Sequence, residues 1–336
     1  MSEPHEPGSA PASPPGDEQL RSGRVVRVDA KVCVVDLGGE QVQATPRGSL
    51  FEDLGGQKNP IAVGDMVELS SDGDPPGVER VLPRRNYLGR TASSHDPREQ
   101  VLVANVDQLF LIGSVAKPGF SSNRTDRILA ACVWHEIPAV LVLNKIDLAD
   151  EEYVAELRAT YEQIPIDVIE TCATDGRGVE KLAARMKDSV SVFYGPSGAG
   201  KSTLLNRIQP GLNIREGKIS KYWKQGKHTT THSTLHELEM GGWAIDTPGI
   251  RVFRLHALDR ERVRDLWPDF EAYQPRCRFP NCTHDHEPDC AVFDAVDTGA
   301  LPASRYASYV ELLDEVDPDN AYDPEDGDVM PEEGME

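Results

Sequence analysis

Lysine and arginine are scarce beside aspartate and glutamate, 35 against 56 in 336 residues, for a formal net charge of −21. A balance of that sign argues against a surface that coats nucleic acid or an anionic membrane over its whole area. Aromatic residues are few as well, at 6%. No apolar run approaches the roughly twenty residues of a membrane-spanning helix, so a soluble, cytoplasmic protein is expected. There are only six cysteines. Without a secretory segment they are not expected to form a disulfide framework, which leaves them for burial or for metal.

The missing positive charge is unevenly distributed. Residues 1–19 hold four acids and residues 306–336 hold twelve, with no Lys or Arg in either stretch, so residues 20–305 carry only −5. The Pro-rich start (1–19) and the acidic end (313–336) read as disordered tails that say little about the folded surface. The remaining length suits two or three domains, each with a core of its own.

Three polar motifs follow apolar runs. Gly195-Pro196-Ser197-Gly198-Ala199-Gly200-Lys201-Ser202 fits the phosphate-loop pattern G-x-x-x-x-G-K-[ST]. Ser189 to Tyr194 reads as a strand before it and Lys201 to Arg207 as a helix start after it, the setting this motif requires. Glycines at 195, 198 and 200 permit positive φ, so successive N–H groups can surround a β-phosphate at a helix N-terminus. Lys201 would reach the β- and γ-phosphates, and the Ser202 hydroxyl would ligate Mg²⁺.

Asn144-Lys145-Ile146-Asp147 follows Pro138 to Leu143, which reads as a buried parallel strand. A carboxylate at the C-terminal edge of such a strand can accept from both N1–H and N2–H₂ of guanine, a pair that adenine lacks. Asp147 thus selects guanine, Asn144 can bond the ring edge or tether loops, and the Lys145 stem can lie over the base. Asp246-Thr247-Pro248-Gly249 follows Trp243 to Ile245. There Asp246 would hold Mg²⁺ through water and the Gly249 N–H would face the γ-phosphate. Gly226 to His232, ahead of it, contains three threonines that could sense Mg²⁺ and γ-phosphate, and chemistry alone does not choose among them.

These are the parts of a GTPase in rotated order. The ordinary sheet opens with the phosphate-loop strand and closes with the base-reading half; here the base-reading half comes first. The helical stretch Val179 to Lys187 leads from Thr171-Cys172-Ala173 into the phosphate-loop strand and joins the usual ends, which chain termini lying close together allow. The switch at Asp246–Gly249 then sits at the domain's exit, where it can move a neighbour.

That neighbour contains Cys277-x₄-Cys282-x-His284-x₅-Cys290. Three thiols and an imidazole suit a closed tetrahedral Zn²⁺ site, with His286 as a substitute for His284. Cys33 and Cys132 lie in apolar surroundings and read as buried thiols. Upstream, short β-type runs at Gly23 to Val28, Lys31 to Leu37, Gln41 to Ala44 and Asp65 to Leu69, separated by glycine turns, suggest a small OB-type barrel. Its Arg24, Arg27, Lys31, Arg47, Arg84 and Arg85 could form an RNA-binding face, or equally a docking platform for the GTPase domain. Arg215, Lys218, Lys221, Lys224 and Lys227 with Tyr222 and Trp223 could bind phosphate backbone and stack on bases, or form a charged switch loop.

The permuted order, the barrel-like start and the Cys-x₄-Cys-x-His-x₅-Cys cluster together resemble the bacterial ribosome small-subunit-dependent GTPase A (RsgA/YjeQ) family over about residues 20–310. The resemblance implies an α/β fold, a circularly permuted P-loop GTPase domain (91–253) flanked by an OB-fold barrel (20–90) and a zinc-binding, α-rich domain (254–312). It implies that Asn144, Lys145 and Asp147 read guanine with help from the Ala173 backbone. Gly195 to Thr203 (Gly195, Pro196, Ser197, Gly198, Ala199, Gly200, Lys201, Ser202, Thr203) would bind phosphates of GTP and GDP. Thr230 would be the switch threonine on Mg²⁺, and Cys277, Cys282, His284 and Cys290 would hold one structural Zn²⁺. Cys172 stands where many GTPases have serine. The family's partner is the small ribosomal subunit with its rRNA. A monomeric protein that hydrolyses GTP during late subunit maturation, stimulated by the subunit and released by hydrolysis, is the expectation.

Ile250 follows the Asp246–Gly249 motif, where Ras-type enzymes carry the glutamine that orients water. An aliphatic side chain cannot do that, so slow intrinsic turnover is expected. His228 is a candidate for positioning water, or a solvated loop histidine. Two other functions fit the same motifs: an RNA-binding scaffold that holds guanine nucleotide structurally, and a signalling GTPase with a protein partner.

Overall fold

The computed structural model describes residues 20–316 except 53, 72, 94, 213, 215–232 and 248–252. His228, Thr230, Gly249, Ile250 and the basic stretch from Arg215 to Lys227 lie outside the described residues.

Short runs of β-branched residues alternating with polar ones build the N-terminal part. β1 (Arg21–Val28), β2 (Cys33–Asp36), β3 (Gln41–Pro46), β4 (Met66–Leu69) and β5 (Gly77–Val81) bond in the order β1-β2-β3-β5-β4. β4 returns to the N-terminal half of β1, pairing Arg21 with Leu69 and Arg24 with Met66, so the five strands close into an OB-like barrel. Val25, Cys33, Val35, Ala44, Val67, Leu69 and Val78 fill it.

A hairpin, β6 (Tyr87–Ser93) and β7 (Asp96–Ala104), joins the barrel to the main sheet. The seam is polar and tight. Arg84 donates bidentately to the fully buried Asp65, at 2.7 and 2.8 Å, and its Nη1 donates to Gln57 at 2.9 Å. Gly64, at φ +93°, packs so closely that a Cβ there would lie 2.1 Å from the Ala104 carbonyl oxygen.

The main sheet comprises β8 (Gln108–Ser114), β9 (Ala139–Asn144), β10 (Asp167–Thr171), β11 (Val190–Tyr194), β12 (Thr234–Glu237) and β13 (Trp243–Asp246), in the order β10-β9-β8-β11-β13-β12. All neighbours are parallel except β12, which is antiparallel to β13. Every residue of β8 is buried, as a strand covered on both faces demands. Alternation sends Leu109 and Leu111 to one face and Phe110 and Ile112 to the other. The first face packs on α1 (Ser122–Trp134) and α2 (Glu151–Tyr161). The second packs on α3 (Val179–Met186) and α4 (Lys201–Ile208).

β12 also touches the barrel, with Thr234 paired antiparallel to Arg27 of β1, so barrel and main sheet form one eleven-stranded sheet. After β13 the chain forms a compact region of short helical turns ending in α5 (Ala291–Asp297) and α6 (Ala303–Glu315), with α6 against α1. No described helix is long and apolar enough to cross a membrane.

The barrel's basic residues are largely committed. Arg27 pairs with Asp29, Arg47 with Glu79, Arg84 with Asp65 and Arg85 with Asp107.

His135, just beyond α1, is buried against Gly89 of β6, with Nε2 3.2 Å from the Gly89 carbonyl oxygen, and its ring lies 5.0 Å from that of Tyr87. Burial pulls its pKa down to about 4, a shift the Gly89 hydrogen bond only partly offsets. The unfolded chain takes up this proton near pH 6.5 and the folded chain near 4, so stability is full above 6.5 and is lost as pH falls toward 4. The loss from this group amounts to about 3 kcal/mol. Urea unfolding at pH 7.0 and 4.5 should show a smaller pH-dependent loss in His135→Gln than in the parent; equal losses would refute the assignment.

Candidate nucleotide site and metal centre

The phosphate loop leaves β11 at Tyr194 and enters α4 at Lys201. Gly195, Gly198 and Gly200 have φ of 156°, 80° and 100°. At Gly200 the requirement is also spatial, because a Cβ there would lie 2.3 Å from the Asn144 amide nitrogen. The first turn of α4 contains no acidic residue, so its unpaired N–H groups and dipole favour an anion. Lys201 is buried, and its ammonium donates to the Gly195 carbonyl at 2.8 Å and the Pro196 carbonyl at 3.2 Å. Burial lowers its pKa and the nearby Asp246 partly restores it. A cation held by carbonyls beneath a ring of N–H groups is suited to a polyphosphate.

Ser202 Oγ donates to Asp246 Oδ2 at 3.1 Å, and Asp246 Oδ1 is buried with no hydrogen-bond partner among the described residues. Burial raises the Asp246 pKa; Lys201, Ser202 and His236 pull it back. A hydroxyl beside a carboxylate with a spare oxygen is the hard donor set that Mg²⁺ takes, leaving room for its waters. Thr247 Oγ1 donates to the Phe193 carbonyl at 2.8 Å, pinning the start of the segment beyond Asp246 to the phosphate-loop strand.

The base-reading residues converge on the same loop. Asn144 ends β9, donates Nδ2 to the Ala199 carbonyl at 2.8 Å and accepts at Oδ1 from Thr171 Oγ1 at 3.0 Å. Lys145 adopts the left-handed conformation, φ 67°, and its ammonium donates to the Gly198 carbonyl at 2.6 Å and to that of Lys117. Asp147 is exposed at the rim and accepts from the Cys172 thiol at 3.1 Å. The thiol, its pKa raised by burial and by Asp147, thus reaches the carboxylate as a serine hydroxyl in its place would. Ala173 opens the adjoining turn, closed by the Gly176 N–H on the Cys172 carbonyl at 2.9 Å. Sequence reading passed over Thr171, Thr247 and His236. Thr171 carried a readable signal, a polar residue ending a buried strand beside Cys172-Ala173.

Cys277, Cys282, His284 and Cys290 bring one ligand atom each to within 4.8 Å of one another. His284 Nδ1 lies 3.6 Å from Cys277 Sγ and 3.4 Å from Cys290 Sγ. Zn–S and Zn–N bonds of about 2.3 and 2.1 Å give tetrahedral edges of about 3.6 Å, so the set fits Zn²⁺. Burial raises the Cys282 and Cys290 thiols and keeps His284 neutral, and a cation is what would hold the sulfurs as thiolates. The scaffold is dense. Tyr306 donates to the His284 carbonyl at 2.8 Å, Tyr309 donates to that of Thr283, and Arg264 donates to the carbonyls of Pro280 and Cys282. His286 points away, 76% exposed and 3.2 Å from Asp285.

The sequence profile of the RsgA GTPase family matches residues 81–256. Small ribosomal subunit biogenesis GTPase RsgA of Chlorobaculum tepidum is 40% identical over 308 residues, 88% of this chain and 98% of the relative. The protein of the same name from Alkaliphilus metalliredigens is 35% identical, covering 90% and 100%. The chain belongs to the RsgA GTPase family.

Solved structures agree. The crystal structure of YjeQ from Thermotoga maritima superposes with a TM-score of 0.70 at 32% identity, covering 88% of this chain and 98% of that one. YloQ, described as a circularly permuted GTPase, gives 0.65 at 27% identity, covering 90% and 98%. Like other members of the RsgA GTPase family, the chain is a GTP hydrolase, and its fold is the permuted one with a barrel before it and a Cys₃His cluster after it.

Two outcomes test the sites. Asp147→Asn exchanges an acceptor for an amide donor and should lower GTP affinity by about two orders of magnitude. It should raise affinity for the xanthine nucleotide, whose C2 carbonyl accepts that donor; fluorescence titration of both nucleotides checks this. Metal analysis should give one zinc per chain, and stripping it or making Cys282→Ser should lower the melting temperature by about 10 °C or more.

Proposed function

We propose that this GTPase acts on the small ribosomal subunit during its late maturation, in the cytoplasm and as a monomer. It docks in the GTP form through barrel and zinc-bearing region, with rRNA among its contacts, and leaves after hydrolysis. The reading rests on the family membership and on the curated relatives, which are named as small ribosomal subunit biogenesis GTPases. The observation that carries the enzymatic part is the conjunction at one loop of buried Lys201, the Ser202–Asp246 pair and the Asn144 tether.

In this proposal the loop from Gly195 to Thr203 and its Lys201 ammonium hold the β- and γ-phosphates and spread the charge that develops on the γ-phosphoryl oxygens. Ser202, Thr230 and Asp246 would hold Mg²⁺, which would supply charge neutralisation at the phosphates. Asp147, oriented by Cys172, reads the guanine edge, the Lys145 stem covers the base, and the Ala173 backbone closes the pocket. Ile250 leaves the attacking water without a glutamine, so ordering by the partner is the missing contribution; His228 is the proposed positioning residue.

GTP turnover by the purified chain should rise about tenfold or more with small ribosomal subunits and not with large ones, with Lys201→Ala as the blank. No rise, with nucleotide binding intact, would sink the proposal. In the same assay His228→Ala should abolish the stimulated rate while nucleotide affinity holds.

A further inference from the structure

The zinc-bearing region meets the nucleotide-binding sheet where α6 lies on α1, and the two ends of that contact differ chemically. At the buried end Arg305, 3% exposed, donates Nη1 to Asp126 Oδ1 at 2.7 Å and grips Asp269 through Nε and Nη2 at 3.1 and 2.7 Å. Its guanidinium lies 5.6 Å from the Trp267 ring centroid, and Trp267 Nε1 donates to the Arg305 carbonyl at 3.3 Å. Burial works against the charge, but Asp126 and Asp269 outweigh it and raise the pKa. Such a bidentate, desolvated guanidinium is a fixed point, since removing it strands two buried carboxylates.

The other end is less buried and shared, with the Arg127, Glu315 and Arg254 side chains 17%, 25% and 42% exposed. Glu315, the last residue of α6, binds Arg127 of α1 through Oε2 and lies 3.7 Å from Arg254 Nε through Oε1. The two arginines belong to different elements, one to α1 and one to the segment that follows Thr247. α1 begins beside the phosphate loop, where Ser121 and Arg124 share a small cleft with Gly195 and Pro196. Arg254 lies seven residues beyond Thr247. Its carbonyl accepts from the Thr91 N–H at 2.9 Å, and the ring of its neighbour Phe253 meets Tyr194, the residue before Gly195, edge-on at 6.0 Å.

The packing of the two helices is set by the more deeply buried Arg305 contact. A carboxylate that gives one oxygen to each of two independent elements can instead change partners at small cost when one of them moves. We propose that Glu315 is a positioning residue that couples nucleotide state to the zinc-bearing region. Its division between Arg127 and Arg254 follows the chain that leaves Asp246 and Thr247, and Arg305 is the pivot on which α6 turns. Linkage makes the effect reciprocal: whatever docks on the zinc-bearing region and shifts α6 alters preference for GTP over GDP by the same factor. The inference holds whether or not that partner is the ribosomal subunit.

The test uses the full chain loaded with GDP or with a non-hydrolysable GTP analogue. Amide exchange across residues 303–316 should differ between the two states, and Glu315→Gln should erase the difference. The same variant should change the ratio of analogue to GDP affinity by about two- to fivefold while melting within a degree or two of the parent. Arg305→Met, if it folds, should lower protection of α6 equally in both states. Identical exchange in the two states of the parent, or an unchanged affinity ratio in Glu315→Gln, would overturn the proposal, and the Glu315 variant alone is sufficient to decide.

Discussion

The side-chain amide of Asn144 holds together three stretches of chain that the permuted order separates. Its nitrogen donates to Ala199 in the phosphate loop, its oxygen accepts from Thr171 at the end of β10, and its own backbone ends β9. Because an amide has both a donor and an acceptor, only one orientation satisfies both neighbours. The glycine at 200 exists to let it approach. Base-reading and phosphate-binding halves, 55 residues apart at this contact, are thereby fixed to one another before any nucleotide arrives. Lys201 and Asp246 can then be kept partly desolvated in place, since the frame around them does not have to be assembled by the ligand.

Permutation decides where motion can go. In this arrangement the segment beyond Asp246 is the way out of the domain and leads within a few residues to Phe253, Arg254 and the zinc-bearing region. The stretch before β12 leads instead into a strand that pairs with the barrel. Both segments are therefore continuous in sequence with a flanking module, which gives each module a covalent link to the nucleotide-binding sheet.

Local chemistry was readable from the sequence and long-range seams were not. The phosphate loop, the guanine motif and the Cys₃His cluster each need several residue types at fixed spacing, and the structure brings each set together. Four barrel strands were visible through alternating valines. The fifth, Gly77-Val78-Glu79-Arg80-Val81, hides its inward Val78 among charges and pairs with β4 just before it and, in parallel, with the more distant β3. The β6–β7 hairpin lacks a tight glycine turn between clean alternations. Arginines at 47, 84 and 85 looked like a ligand face in composition, yet each finds a carboxylate 19 to 32 residues away, and no local pattern encodes such a partner. Arg305 is invisible for the same reason, its Asp126 partner lying 179 residues away. His228, Thr230 and Gly249 lie outside the described residues.

The single bridge between Thr234 and Arg27 has a bearing on how the chain can be divided. β12 ends the main sheet, and the C-terminal half of β1 pairs with its first residue, Thr234. A shortened chain lacking residues 20–81 would present that edge bare, with unpaired N–H and C=O groups able to template pairing with a second copy. The barrel thus closes one position of that edge, which the GTPase sheet taken alone would leave open.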